Sequence, residues 1–125
     1  MTYSKMIVFL ILSFLVTACV TKEYTKQSSV FIVFKTPTFK YADMGFVYEN
    51  ASEVKAEIYG SGQALMSWTI KQDTVCMSLL ACMSKKDFNA RVLHAAYPQD
   101  ILENIFRGES IYNGQNIQKN RNGFT

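Results

Sequence analysis

The stretch that most constrains this chain is its first twenty residues, MTYSKMIVFLILSFLVTACV. Lys5 is followed by an almost unbroken apolar run from Met6 to Val16, and small residues then precede Cys19. A charged start, a short apolar core and small residues before a cut are typical of a secretory signal peptide. The apolar core is about half of the roughly 20 residues that a membrane-spanning helix needs. The sequence therefore predicts a removed leader at residues 1–18 rather than a permanent span.

The residues around the predicted cut suggest a lipid anchor. Val16-Thr17-Ala18-Cys19 resembles a lipobox, in which the cysteine is acylated with chains such as palmitate and becomes the first mature residue. The alternative is an ordinary signal cut, with Cys19 there by chance. A polar, lysine-bearing segment follows at once, as a tether between lipid and domain would. We expect acylation of Cys19, a lipidated tether over residues 19–29, and a location in the cell envelope on a membrane facing the periplasm.

The bulk composition fits one small exported domain. Removing residues 1–18 from the 125-residue chain leaves 107 residues, enough for a single core of modest depth. The formal net charge is +3, and Lys5 in the leader supplies one of those charges. So weak a charge, without a lysine or arginine cluster, argues against a nucleic-acid partner. We place the domain at residues 30–112, and a polar tail or truncated continuation at residues 113–125.

The three cysteines divide between anchor and domain. With Cys19 acylated, Cys76 and Cys82 remain as an even pair in an oxidising compartment, which predicts a disulfide. A metal pair, a redox pair and free thiols are the alternatives, although the spacing is not that of a thioredoxin-type site and only His94 could add a soft ligand. On one straight strand the two sulfurs would lie about 20 Å apart, so a disulfide requires a tight reversal near Leu79. The disulfide and the reversal stand or fall together.

The first part of the domain predicts antiparallel strands. The segment VFIVFKTPTFKYADMGFVYE is rich in aromatic and β-branched residues, and Pro37 divides it into two strands. A bend or bulge is expected at Asp43-Met44-Gly45. Residues 54–59 and 64–71 then alternate on either side of Gly60-Ser61-Gly62, which predicts a β-hairpin with one buried face.

Two short helices are predicted next. Ser84 is a suitable N-cap, with Asp87 three residues on, and Tyr97-Pro98 is expected to stop the first helix. The second helix follows Pro98 and has Gly108 as its C-cap. Its apolar face consists of Ile101, Leu102, Ile105 and Phe106. Residues 110–112 are a candidate for one more strand. The predicted fold class is α+β: an antiparallel curved sheet with two short helices packed on one face, after an N-terminal signal helix.

No catalytic pattern stands out. The sequence has no Gly-x-Ser-x-Gly, P-loop, His-Glu-x-x-His or dinucleotide-binding glycine motif. His94, the only histidine, lies in a helical stretch, where a surface or capping role is the common one. Glu53 and Glu57 would share a strand face about 13 Å apart, too far for a paired acid and base, so solvated strand positions explain them. We expect no enzyme activity, no cofactor and no metal ion.

The predicted hairpin carries apolar groups on both faces. Met66 and Trp68 lie on one face, and Tyr59 and Leu65 on the other. In a complete domain most of these would be core. A second apolar face is explained if a concave sheet holds acyl chains, since ligand cavities are largely apolar. The candidate groove residues are Ile58, Leu65, Met66 and Trp68.

The order of these elements resembles the LolB-like proteins of the LolA/LolB superfamily, which are bacterial outer-membrane lipoproteins. A lipobox is followed by FKYADMGFVY, by a hairpin around GSGQALMSWTI and by FNARVLHAAYPQDILENIFRGESI. The matching positions are Gly45, Gly62, Leu93, Pro98, Leu102 and Arg107-Gly108. The resemblance implies a sheet curved into an open half-barrel, with helices as a lid over an apolar cavity. LolB-like domains continue with further strands, and Cys76 and Cys82 are not part of their usual pattern.

The resemblance also implies a function. It implies a membrane-anchored, periplasm-facing lipoprotein that binds or receives lipoprotein acyl chains, with a periplasmic carrier protein as partner. Val20 after Cys19 implies sorting to the outer membrane under the enteric rule. Two alternatives stay open: a structural envelope lipoprotein that docks a protein partner without lipid cargo, and a thiol-redox function of Cys76 and Cys82.

Overall fold

A meander of six antiparallel strands organises the domain. The computed structural model describes residues 1–14, 21–78 and 80–125, so Cys19 and Leu79 lie outside the described residues. The strands are β1 Lys26–Lys35, β2 Lys40–Glu49, β3 Val54–Gly60, β4 Gln63–Ile70, β5 Thr74–Met77 and β6 Leu80–Ser84. They are hydrogen-bonded in chain order, so β1 and β6 form the two edges of the sheet.

Three α-helices accompany the sheet in the described part of the chain. They are α1 Thr2–Phe14, α2 Lys85–Val92 and α3 Ile101–Arg107. A 3-10 turn at Tyr112–Gly114 and a small hairpin of β7 Lys119–Asn120 and β8 Gly123–Phe124 follow. Of the helices that the described residues form, none is long and apolar enough to cross a bilayer. The predicted α+β class with an antiparallel sheet is confirmed.

One face of the sheet, which we call the inner face, forms the core with α2 and α3. Alternate residues of β3 and β4 point to this side because strand side chains have a period of two. Those of highest burial are Val54, Ala56, Ile58, Met66, Trp68 and Ile70. Phe88 and Val92 of α2 and Leu102 of α3 close the core from the helical side. The predicted hairpin with one buried face is therefore confirmed, and the opposite side of the sheet is called the outer face.

Turn residues set the strand connections. Pro37 lies in the reversal between β1 and β2, as predicted. Ser61 and Gly62 both have positive φ, 53° and 78°, which suits the two-residue turn of a twisted hairpin. Of the bend or bulge expected at Asp43-Met44-Gly45, the bulge is absent, because this stretch pairs with β1 in continuous register. Gly45 instead allows the backbones of β2 and β3 to approach closely, since a Cβ there would lie 2.1 Å from the Glu57 carbonyl oxygen.

The helix ends follow local chemistry. The Ser84 hydroxyl accepts a hydrogen bond from the Asp87 backbone N–H at 3.1 Å, which confirms the predicted N-cap. Helix α2 ends at Val92 and not at Tyr97, because Leu93 leaves helical geometry with φ −107° and ψ −106°. Gly108 ends α3 with φ 70°, as predicted for its C-cap.

The first and last strands predicted for the domain differ from those observed. Strand β1 begins at Lys26, four residues before the strand predicted from Val30, because Lys26 pairs with Glu49 across the strands. The strand predicted at residues 110–112 is wrong. Tyr112 and Asn113 have φ 50° and 55°, which is left-handed backbone, and the chain turns there instead.

The predicted disulfide between Cys76 and Cys82 is present. Strands β5 and β6 form the tight reversal that it requires, with Thr74 opposite Ser84 and Met77 opposite Leu80. Val75 and Met77 point into the core, so Cys76 between them lies on the outer face. The disulfide therefore ties the β6 edge of the sheet on the side away from the helices.

Candidate functional site

An apolar groove opens between the edge strand β1 and helix α3. Its volume is about 480 Å³. From the sheet it is lined by residues 30–36 and Val47, and from the helical side by Leu93, Tyr97, Ile101, Leu102, Ile105 and Phe106. Side chains alternate along β1, so those of Val30, Ile32, Phe34 and Thr36 face the groove, and Thr36 is the polar one among them. The groove is thus elongated and apolar, with its polar residue at one end of β1.

The inner wall of the groove rests on Trp68. The Phe34 ring lies 4.8 Å from the Trp68 ring, and Phe106 lies 5.7 Å from it on the α3 side. Trp68 is fully buried, and its indole Nε1 is the one buried side-chain nitrogen or oxygen in the described part of the chain that has no hydrogen-bond partner. Aromatic packing therefore fixes both groove-lining rings, while one polar atom behind them stays unpaired.

A buried lysine positions helix α3 over the sheet. The side chain of Lys85, only 4% exposed, donates 2.6 Å hydrogen bonds to Asp100 and to Glu103. Burial acts to lower the pKa of the Lys85 ammonium, but these two bonds outweigh it and hold that pKa above its usual range. Because Lys85 opens α2 and Glu103 lies in α3, this contact fixes the two helices relative to each other.

The hydrogen bonds around Glu103 also connect α3 to the sheet. Glu103 accepts a hydrogen bond from Arg107 Nε at 3.1 Å, and Arg107 Nη1 donates to the Asn50 carbonyl oxygen at 3.0 Å. Arg107 also pairs with Glu49, at 3.5 Å. The C-terminal end of α3 is therefore bound to the end of β2, which leaves the helix lying beside β1 as the far wall of the groove.

The residues that the sequence suggested for a groove lie elsewhere. Ile58, Met66 and Trp68 are buried in the core between sheet and helices. Leu65 lies beside the bulge in the β3–β4 hairpin, 46% exposed. None of these four side chains is among those that line the groove.

The groove residues that sequence reasoning missed carry a usable signal. Val30, Ile32 and Phe34 alternate along β1, and Ile105 belongs to the apolar helix face predicted from the sequence. The sequence does not show the juxtaposition of the β1 residues with α3. That juxtaposition arises because β1 is an edge strand and α3 lies beside it.

The outer face holds two tyrosine–glutamate pairs. Tyr24 donates a 2.6 Å hydrogen bond to Glu53, and Tyr59 donates a 2.7 Å bond to Glu57. Glu53 and Glu57 are buried rather than solvated, and they also pair with Lys22 and Lys55. The solvated positions predicted for these two acids are therefore wrong.

The electrostatics of these pairs follow from burial and bonding. Burial acts to raise the pKa of Glu53, but hydrogen bonds from Lys22 and Tyr24 outweigh it and hold that pKa below its usual range. The same balance lowers the pKa of Glu57. The hydrogen bond to Glu57 raises the pKa of Tyr59 to about 12, and burial together with the hydrogen bond to Glu53 raises the pKa of Tyr24. Both acids are therefore fixed as carboxylates at neutral pH.

The remaining chemistry-bearing side chains are scattered. Cys76 and Cys82 are bonded to each other. His94 is exposed, and its Nδ1 accepts a hydrogen bond from the Ala96 backbone N–H at 3.1 Å. Within residues 1–14, 21–78 and 80–125, no three His, Cys, Asp or Glu side chains come together as metal ligands would.

Comparisons were made with protein-family models, with curated proteins and with solved structures. No match to this chain emerged from any of the three. The likeness to LolB-like proteins thus stays a prediction from the residues, and the groove between β1 and α3 is the feature on which a functional proposal can be built.

Proposed function

We propose that this chain is an envelope lipoprotein that holds an acyl chain in the groove between β1 and α3. The groove itself carries the proposal. Its volume of about 480 Å³ falls within the roughly 300–1,000 Å³ of small-molecule sites. The chain borders it from Val30 to Thr36, which gives it a length of about 20 Å at 3.3 Å per residue. That shape suits an extended aliphatic chain better than a compact ring system.

Binding in this groove needs no covalent chemistry. Each methylene group removed from water contributes about 0.8 kcal/mol, so an apolar groove of this length favours long chains over short ones. Thr36 at the end of β1 marks the polar end of the groove, where the head of an amphiphile would lie. Tyr97 and Ile105 are 42% and 52% exposed and are the groove side chains that a bound chain would cover first.

The proposal includes the anchor and the shape of the sheet. Cys19 would carry the acyl anchor after removal of residues 1–18, and the protein would face the periplasm, at the outer membrane. The sheet would be an open half-barrel with α2 and α3 as its lid, as in LolB-like proteins. The apolar leader with its lipobox, and the placement of both helices on one face of the sheet, support this part.

A titration of the full chain with a dansylated long-chain fatty acid tests the groove. Ile105→Asp places a charge in the groove wall and should weaken saturable binding at least about tenfold, or about 1.4 kcal/mol. Met44→Asp is the matched control, because Met44 is exposed to the same 52% but lies on the outer face. Circular dichroism should show both variants folded.

Three results would decide against the groove. They are non-saturable binding, equal loss in both variants, and loss in Met44→Asp alone. Leu65→Asp tests the sequence-based candidate in the same way, and we expect it to behave like the control. Binding lost in Leu65→Asp and kept in Ile105→Asp would move the site to the β3–β4 hairpin.

Labelling of cells with an alkyne analogue of palmitate tests the anchor separately. The wild-type chain should take up the label, and Cys19→Ala should not. Equal labelling of both would place the acyl group elsewhere, whereas no labelling of either would remove the anchor from the proposal. The groove titration does not depend on this result.

A second candidate function is docking of a protein partner without lipid cargo. The open edge of β1 favours it, because an edge strand presents unpaired backbone groups to which another strand can add. Crosslinking in cells that recovers one stoichiometric partner, together with no fatty-acid binding, would favour this function over the first.

A further inference from the structure

The outer face of the sheet carries an exposed apolar patch, formed by side chains that alternate along β1 with those that face the groove. Phe31, Val33 and Met44 are 64%, 65% and 52% exposed. Phe31 pairs with Met44 across the strands, and Val33 pairs with Ala42, so all four side chains share one face. A contiguous apolar patch on a sheet face is the kind of surface that contacts another molecule or a membrane.

Lysines border this patch. Lys35 and Lys40 lie directly opposite each other at the tip of the β1–β2 hairpin, on the same face as Phe31 and Val33, and both are exposed. Like charges in directly opposed positions repel, so this pair weakens the hairpin unless an anion meets it. Asp43 is next to Met44 in sequence but points to the inner face, as its partner Ile32 does.

The carboxylates of the outer face do not oppose these lysines. Glu57 is 8% exposed and is paired with Lys55, and Glu53 is 2% exposed and is paired with Lys22 at 2.8 Å. Their charges are covered and compensated, whereas the Lys22 side chain is 54% exposed. The charge that this face offers to a partner is therefore positive, next to an apolar surface.

The N-terminal tether lies on the same face. The Tyr24 ring packs 5.6 Å from Tyr48, and Tyr48 lies 6.3 Å from Phe46, which continues the row of Met44 along β2. Lys22 is held there by Glu53. From Lys22 to Cys19 the chain spans at most about 10 Å. An acyl anchor at Cys19, which is part of the proposed function, would therefore start close to this face of the sheet.

We propose that the outer face lies on an anionic lipid bilayer. Phe31, Val33 and Met44 enter the interface between head groups and acyl chains, and Lys35 and Lys40 meet the lipid phosphates. Apolar and basic side chains on one surface are the combination that binds anionic membranes. In this orientation α3 and the groove face away from the membrane, open to the aqueous side.

Quenching by bilayers with brominated acyl chains tests the orientation. The full chain carrying Phe31→Trp is mixed with phosphatidylcholine vesicles, with or without phosphatidylglycerol, and only the sedimented fraction is measured. Tyr112→Trp is the control, because Tyr112 is 43% exposed and shares a cavity with Ile105 of α3. On anionic vesicles we expect at least about twofold stronger quenching at position 31 than at 112, since interfacial residues sit about 5–10 Å deep.

Charge reversal tests the lysines. Lys35→Glu with Lys40→Glu, in the Phe31→Trp chain, should reduce quenching on anionic vesicles by at least about half and leave it unchanged on neutral ones. Lys86→Glu, an exposed lysine of α2, is the matched control and should have no effect. Circular dichroism should show every variant folded.

Several outcomes would overturn the proposal. Equal quenching at positions 31 and 112, no quenching at 31 in the sedimented protein, or no effect of charge reversal would each do so. Position 31 shielded from lipid, with crosslinks between two copies at β1, would assign the patch to a protein contact. Membrane quenching kept in a chain that has lost fatty-acid binding through Ile105→Asp would separate this proposal from the groove.

Discussion

The two faces of the six-stranded sheet carry similar apolar residues, but these residues form the core on one face and are exposed on the other. On the inner face, Trp68 and Ile58 are fully buried, and the helices are held over them by Lys85. On the outer face, Phe31 and Val33 are about two thirds exposed, while two carboxylates are buried. Apolar alternation identifies the strands, but the helices decide which side becomes the core.

The prediction with the largest expected effect concerns the packing of the inner face. Trp68→Ala removes a fully buried ring and should lower the free energy of unfolding by about 3–5 kcal/mol, measured by urea denaturation. Trp68→Phe should cost less, because it also removes an indole N–H that has no partner.

The matched change on the outer face is Phe31→Ala. With 64% of that side chain exposed, we expect a change within about 0.5 kcal/mol. Equal losses at positions 68 and 31 would mean that the outer face is also covered in solution, and the contrast between the faces would be lost.

The next effect tests the contact that holds the helices on the inner face. Lys85→Met removes the buried partner of Glu103, which keeps only its hydrogen bond from Arg107, and should cost about 3 kcal/mol in urea denaturation. The value lies at the low end for a broken buried pair because Asp100 is 65% exposed and can be solvated.

Lys86→Met is the control for this change, since Lys86 is exposed beside it. It should leave stability nearly unchanged. If Lys85→Met were equally neutral, apolar packing alone would hold α2 and α3 over the sheet, and the polar network would be dispensable.

Local signals in the sequence were enough for much of the fold. The β3–β4 hairpin follows from alternation around Ser61-Gly62, and Ser84 and Gly108 mark helix ends by their own chemistry. The Cys76–Cys82 pairing follows from the oxidising compartment expected of an exported chain.

The candidate site could not be read in the same way. Phe34 and Trp68 belong to equally apolar alternating strands, yet only Phe34 reaches the groove, because β1 lies at the sheet edge. The burial of Glu53 depends on Tyr24, 29 residues away in the chain, and no local pattern indicates such a contact. The spacing of apolar residues predicts the strands and helices, whereas the site is formed by contacts between residues that are far apart in the chain.

Removal of the disulfide tests how much this bond stabilises the β6 edge on the outer side of the sheet. Replacing both cysteines, as Cys76→Ala with Cys82→Ala, opens a loop with a sequence separation of six and should cost about 2 kcal/mol through the entropy of the unfolded chain. Reductant should destabilise the wild type by a similar amount and leave the double variant unchanged. A reductant effect on both proteins would mean that the cost does not come from this bond.

The smallest expected effect tests the buried charge on the outer face. Tyr24→Phe removes the hydrogen bond to Glu53 and should cost about 1.5 kcal/mol at pH 7, since the acceptor is charged. The folded pKa of Glu53 lies below the ordinary value of 4.5. Its contribution is therefore complete above pH 4.5 and is lost as the pH falls through the folded pKa. Unfolding free energies measured from pH 7 downward should converge for wild type and Tyr24→Phe on acidification, whereas Tyr112→Phe should match the wild type throughout. A gap that stays constant with pH would mean that the Tyr24 hydroxyl stabilises the fold without the charge of Glu53, and the outer face would then differ from the inner one only in exposure.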